Sequence, residues 1–450
     1  MKNLSFMESK PKLSNYLIFL SAETVSLLGS VIVDFVLIWW VTITTNSAFY
    51  LAAASFITFG IQIILSPVAG VYVDRWNRKW VIGLSDFGQA IAMFYLLYKF
   101  SIGQAVVNDV LFMLLIGSAF QAFQGPAVQA IVPLMVEERN ISRVNSLSYF
   151  SNIFTKVIGA PIGAFLLAIW PVTSLLWIDI ITFFFANSIL IFITIPSHKK
   201  PTEESDPINE KSKFVNDFKE GLSIIKSKGL IGFFFVFPIT NFFETPRGIL
   251  LPLLINYTYS GDALLFALII SSFQLTVSIT AILMSWKNIY SKADPAKVVL
   301  FGILGIFAGS IFLVIPTPGL LGFYAIFPIL GMVIMGICSP SVNITMMSLK
   351  HKIVPPDKLG RVSSTSSAVS VSMIPPATIL TGIITDFLGN QFIRFIIFTT
   401  SIMGIIAMIS IWFLTDLSNI NSKLQLNNKS LDAENHDFPN QDQITAIPDI

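Results

Sequence analysis

The chain has 450 residues, 54% of them hydrophobic and 12% charged, with a mean hydropathy of +0.74; this lies outside the range of soluble globular domains and reads as one polytopic integral membrane protein. A net charge of +2 gives no reason to invoke nucleic acid. The single cysteine, Cys338, has no intramolecular partner and says nothing of redox compartment.

Residues 1–13 are polar and are expected to form a short N-terminal segment. The first apolar run, 14–43, carries Glu23 and Asp34, so it makes a poor signal peptide and should stay in the mature protein. Further runs follow at 47–73, 80–99, 109–133, 145–169, 172–195, 230–256, 263–286, 297–316, 319–347, 364–385 and 391–415, each of helix-spanning length. A β-barrel would alternate apolar and polar residues, whereas Phe183-Phe184-Phe185 and Phe233-Phe234-Phe235 are continuous, so the expected fold class is all-α, with twelve transmembrane helices.

Between the second and third runs lies Gly70-Val71-Tyr72-Val73-Asp74-Arg75-Trp76-Asn77-Arg78-Lys79. Asp74, Arg75, Arg78 and Lys79 cannot rest together in hydrocarbon, which predicts a hairpin loop at the membrane surface. The segment 196–229, with Lys199, Lys200, Glu203, Glu204 and Asp206, is polar and mixed in charge as a solvated linker would be, and 416–450, rich in Asn, Asp and Gln, reads as a mobile tail. All but Lys99, Lys156, Arg247 and Arg394 of the 28 Lys and Arg fall on the side of the Gly70–Lys79 loop, which predicts that both termini and the linker are cytoplasmic. Connections on the other side are as short as Trp170-Pro171, so recognition is expected within the membrane.

The sequence repeats itself. Gly125-Pro126-Ala127-Val128-Gln129 parallels Ser339-Pro340-Ser341-Val342-Asn343, and Arg143-Val144-Asn145-Ser146 parallels Arg361-Val362-Ser363-Ser364. Two pseudo-symmetric six-helix halves, 14–195 and 230–415, are implied.

Gly70, Asp74, Arg75, Arg78 and Lys79 follow the pattern G-x-x-x-D-R-x-x-R-K, with Asn77 where glycine is common, and closely resemble the signature loop between helices 2 and 3 of the major facilitator superfamily. Within it the chain looks most like the macrolide-efflux-like branch, through Ser26-Leu27-Leu28-Gly29, the charged loop leading to Asp86, Val144-Asn145-Ser146-Leu147, Ile178-Asp179, and Val354-Pro355-Pro356 with Leu359-Gly360-Arg361-Val362. The resemblance implies a secondary transporter in the plasma membrane whose halves rock about a midplane site, exporting drugs or siderophores or, in relatives, moving lysolipids. Exporters of this kind carry a glycine- and proline-rich signature in helix 5. Here Gly159-Ala160-Pro161-Ile162-Gly163-Ala164 has the proline one place late, and a role as a helix-packing surface fits as well.

Charges inside the membrane are costly and therefore informative. They are Glu23 and Asp34 in the first run, Lys156 in the fifth, Asp179 in the sixth, and Glu244 with Arg247 in the seventh. Glu23 and Asp34 share a helix face about 16 Å apart along the axis, and helices 1 and 7 line the central cavity in the family that the chain resembles. Lys156 and Asp179 either neutralise one another or serve the cavity; Glu244 and Arg247, three residues apart, either form a simple pair or meet substrate. The three histidines fall outside the apolar runs, so carboxylates, with Asp34 leading and Glu23 or Glu244 helping, are the expected proton carriers. Asp74 is expected to latch onto a helix start at Ser363-Ser364-Thr365-Ser366, while Arg75, Arg78 and Lys79 bind Asp86 or lipid phosphates.

The expected partners are a small-molecule substrate, protons and membrane lipid. No P-loop pattern, metal-ligand cluster or cofactor motif occurs. The competing readings are a proton-coupled importer or lysolipid transporter of the same fold and, remotely, an intramembrane hydrolase using Asp34 and Asp179.

Overall fold

The computed structural model describes residues 13–195, 223, 231–258, 263–286, 293–315, 326–354 and 356–415, and every regular element among them is helical. The helices are α1 (Leu13–Thr45), α2 (Ala48–Arg75), α3 (Arg78–Ser101), α4 (Val107–Met135), α5 (Glu138–Ile169), α6 (Val172–Phe192), α7 (Ile231–Thr258), α8 (Ala263–Trp286), α9 (Pro295–Phe312), α10 (Ile326–Ile353), α11 (Pro356–Ser372), α12 (Ile374–Leu388) and α13 (Ile393–Leu414). A 3₁₀ turn, Asn390–Phe392, precedes the last. The expected linker and tail, and all of the N-terminal segment but Leu13, lie outside the described residues, apart from Ser223 in the linker.

Local chemistry sets the helix ends. Asn77 caps α3 by accepting from the Lys79 amide at 3.0 Å, so two helices meet across a break of only Trp76 and Asn77. Asp294 caps α9 in the same way, with Pro295 at the first helical position. Gly389, at φ +91°, ends α12 in a conformation that only glycine adopts readily.

Eleven described segments are long and apolar enough to cross a membrane. The helix in the seventh place, α7, has the length, 28 residues, but Asn241, Glu244, Arg247 and three internal prolines lower its hydropathy. Helix boundaries match the apolar runs closely, apart from α10, which continues to Ile353 rather than ending at 347, and two further differences. α5 starts at Glu138 rather than 145, because hydropathy marks where lipid begins and not where backbone hydrogen bonding begins. The expected single helix 364–385 is two, broken at Met373: Pro375 and Pro376 offer no amide to the preceding turn. Its first part starts at Pro356, so Ser363-Ser364-Thr365-Ser366 lie inside α11 and not at its positive end.

Within the N-terminal half, α1 packs on α5 and α6, and α4 on α2 and α3; in the C-terminal half, α10 packs on α8 and α9, and α13 on α7 and α9. Across the halves, α2 lies along α12 and α5 along α8. Val144 and Val362, centres of the repeated Arg-Val segments, are both buried near the starts of α5 and α11.

The apolar interior is divided unequally. One cluster draws on both halves, with Val36, Leu51 and Leu176 beside Leu250, Phe266 and Ile397, at the end remote from the Gly70–Lys79 loop. At the loop end the described residues form two separate clusters. One, around Phe19, Ile82 and Ile131, is wholly N-terminal, and the other, around Val299, Phe307 and Met346, is wholly C-terminal. Among the described residues the halves are therefore joined by apolar packing at one end, the sealed end, and not at the other, the parted end.

Candidate functional site

Four acids gather inside the N-terminal half. Asp86 on α3 is 1% exposed and accepts from Gln124 Nε2 of α4 at 2.6 Å; Gln124 Oε1 in turn accepts from Gln89 Nε2 at 2.8 Å. Asp179 on α6 is 3% exposed and accepts from Ser30 Oγ of α1 at 2.8 Å, where Gly29 lets α1 approach Thr182 closely. Asp86 lies within electrostatic reach of Glu23 and Asp179, and Asp179 of Asp34. Their hydrogen-bonding partners are neutral.

Asp34 differs from its neighbours. Val33 and Phe35 on either side are buried, yet Asp34 is exposed, so its side chain is turned out of the packed core. Among the described residues no hydrogen bond or ion pair engages Asp34, Glu23 or Lys156. Lys156 is exposed on α5 and does not form the pair with Asp179 considered from sequence: residues on different helices meet only if both face the same seam, which spacing does not reveal.

In the C-terminal half, Glu244 and Arg247 do pair. Arg247 Nε lies 2.7 Å from Glu244 Oε2, and Ser310 Oγ of α9 donates to Glu244 Oε1 at 2.8 Å. The two side chains are 13% and 18% exposed and line a cavity of about 180 Å³ with Phe237, Asn241, Phe273 and Asn343.

The helix-5 stretch is a packing surface on α1. A Cβ at Gly159 would strike Val31, and one at Gly163 would lie 3.0 Å from the Phe35 ring and 3.1 Å from the Ile32 carbonyl; Pro161 between them is half-buried. In the charged loop, Lys79 Nζ donates to the carbonyls of Ile191 and Ile193, 2.9 and 2.8 Å away, at the C-terminal end of α6. Asp86 is instead part of the interior network. The side chains of Asp74 and Arg75 lie outside the described residues; Gly70 and Arg78 are half-buried.

Residues 19–375 match the family model described as Major Facilitator Superfamily. The chain belongs to that superfamily. Similar members include macrolide efflux protein A of Streptococcus pyogenes, 27% identical over 382 residues, covering 84% of this chain and 91% of the relative. Macrolide efflux protein A of Enterococcus faecalis is 26% identical over 315 residues, 69% of this chain and 93% of the relative. Among solved folds, the nucleoside transporter NupG superposes with a TM-score of 0.66 at 12% identity, covering 89% of this chain and 99% of that one. This superfamily member is thus a multi-span membrane transporter of small molecules.

Sequence reading did not single out Gln89, Gln124, Ser30 or Ser310 as partners of the acids. Gln89 and Gln124 were visible as amides in otherwise apolar runs, a signal that burial there requires a hydrogen-bonding partner.

Proposed function

We propose that the protein exports an amphipathic compound in exchange for protons by alternating access, with Asp34 as the residue at which proton and substrate compete. The observation that carries this reading is the exposed, unpartnered carboxylate of Asp34 on a buried stretch of α1, next to acids whose partners are neutral. Like charges this close, in a medium of low dielectric, repel, and a proton or a cationic substrate relieves the repulsion equally well. Occupancy by one therefore disfavours the other, which couples the two fluxes without ATP. The relatives named macrolide efflux proteins support export of a bulky amphipath.

The parted end of the bundle carries the basic loop, and the asymmetry of Lys and Arg supports a cytoplasmic position for that end, both termini and the linker, with the protein crossing the plasma membrane. The conformation is then open inward. The experiment is reconstitution of wild type and Asp34→Asn, with a pH gradient imposed on inverted vesicles and uptake of macrolides, lipophilic cations and siderophores measured. Proton-driven uptake should vanish in the mutant while gradient-free exchange persists. Uphill transport by Asp34→Asn at the wild-type rate would remove Asp34 from the coupling role.

A further inference from the structure

At the sealed end, the turn between α1 and α2 is gripped by three elements of the other half. Asn46 takes φ +47°, a left-handed conformation that Asn tolerates better than most residues. Its Oδ1 accepts from Asn256 Nδ2 of α7 at 2.7 Å, and its backbone carbonyl accepts from Asn390 Nδ2 of the 3₁₀ turn at 2.6 Å. Beside it Ser47 Oγ lies 2.8 and 3.1 Å from the two carboxylate oxygens of Asp386 on α12, and the Phe49 amide donates to the same carboxylate at 3.3 Å. Ser47 makes no side-chain cap of its own to α2, so Asp386 supplies that cap from the opposite half. Gly382, one turn back on α12, lets the helices close: a Cβ there would lie 2.7 Å from Ala52 and 3.3 Å from the Phe49 backbone.

We propose that Asp386, with Asn256 and Asn390, is a latch that holds this end shut and so sets the balance between the two states of the transporter. The electrostatics make the contact conditional on closure. Asp386 stands in the last turn of α12, where the negative end of its own helix disfavours a carboxylate. The positive start of α2 compensates only while the two helices touch. Separation exposes the carboxylate to its own helix terminus again and frees the first amides of α2, so the latch favours the sealed state by a charge–dipole contact and four hydrogen-bonding groups acting together.

This inference rests on the alternating-access reading and is tested apart from it, because distances report conformation and not flux. In a Cys338→Ala background, spin labels at Gln104 and Tyr257 follow the sealed end and labels at Ser142 and Lys352 the parted end, with the full chain in lipid nanodiscs. Asp386→Asn should raise the ratio of open to closed distances at the sealed end about three- to tenfold, with the opposite change at the parted end. Ser47→Ala and Asn390→Ala should each move the same ratio in the same direction by a smaller factor, and they carry the test if Asp386→Asn does not fold. Wild-type distance distributions in the folded variants, or opening at both ends together, would overturn the latch.

Discussion

In the C-terminal half the interior acid, Glu244, meets Arg247 at 2.7 Å and takes a further hydrogen bond from Ser310, whereas in the N-terminal half Asp86 and Asp179 receive only the neutral donors Gln124 and Ser30. A carboxylate paired with a guanidinium has its charge balanced within the protein, whereas acids clustered among neutral donors do not. On the proton-exchange mechanism proposed above, this difference favours the N-terminal half as the place where charge state changes.

The comparison is most easily broken at Glu244. Glu244→Gln leaves the Arg247 guanidinium 18% exposed without a counter-charge, and breaking such a pair costs about 3–5 kcal/mol, read as a large fall in the detergent melting temperature. Asp179→Asn should lower the melting temperature far less, since Ser30 can bond the amide. Equal falls would mean that the two halves do not differ in kind. Removing the donor to Asp86 with Gln124→Ala should cost about 1.5–3 kcal/mol if the carboxylate is ionised, while Asp86→Asn in the same background should recover most of it. A double-mutant cycle measures that coupling. Gly163→Leu forces α5 away from Phe35 and Ile32 on α1; it should cost about 1–3 kcal/mol and reduce pH-driven flux. The smallest effect is expected at Lys79, where Lys79→Ala removes two bonds to the end of α6 and should lower stability by about 0.5–1 kcal/mol, with pH-driven flux retained.

The helices were legible because lipid imposes a length on apolar runs, and the Glu244–Arg247 pair was legible because both residues lie on one helix three positions apart. Partners on different helices were not. Ser30 reaches Asp179 and Gln124 reaches Asp86 only because α1 is turned toward α6 and α4 toward α3, and no spacing within either helix fixes that rotation. The same gap produced the unrealised pairing of Lys156 with Asp179 and set Asp86 beside the charged loop rather than in the interior. The break at Met373 was present in the letters as Pro375-Pro376, but an apolar run continues through it, so hydropathy alone joined α11 to α12.

Phe266 of α8 stacks on Phe35 and Trp39 of α1, with centroids 5.4 and 5.6 Å away, inside the apolar cluster that draws on both halves. When that end opens, water must wet these rings, so the two states of the transporter differ in heat capacity. Apolar association weakens on cooling, and the sealed end loosens with it. On the alternating-access reading, the balance between the two orientations is thus a function of temperature, its sign set by the difference between the apolar area wetted at this end and the area buried at the other.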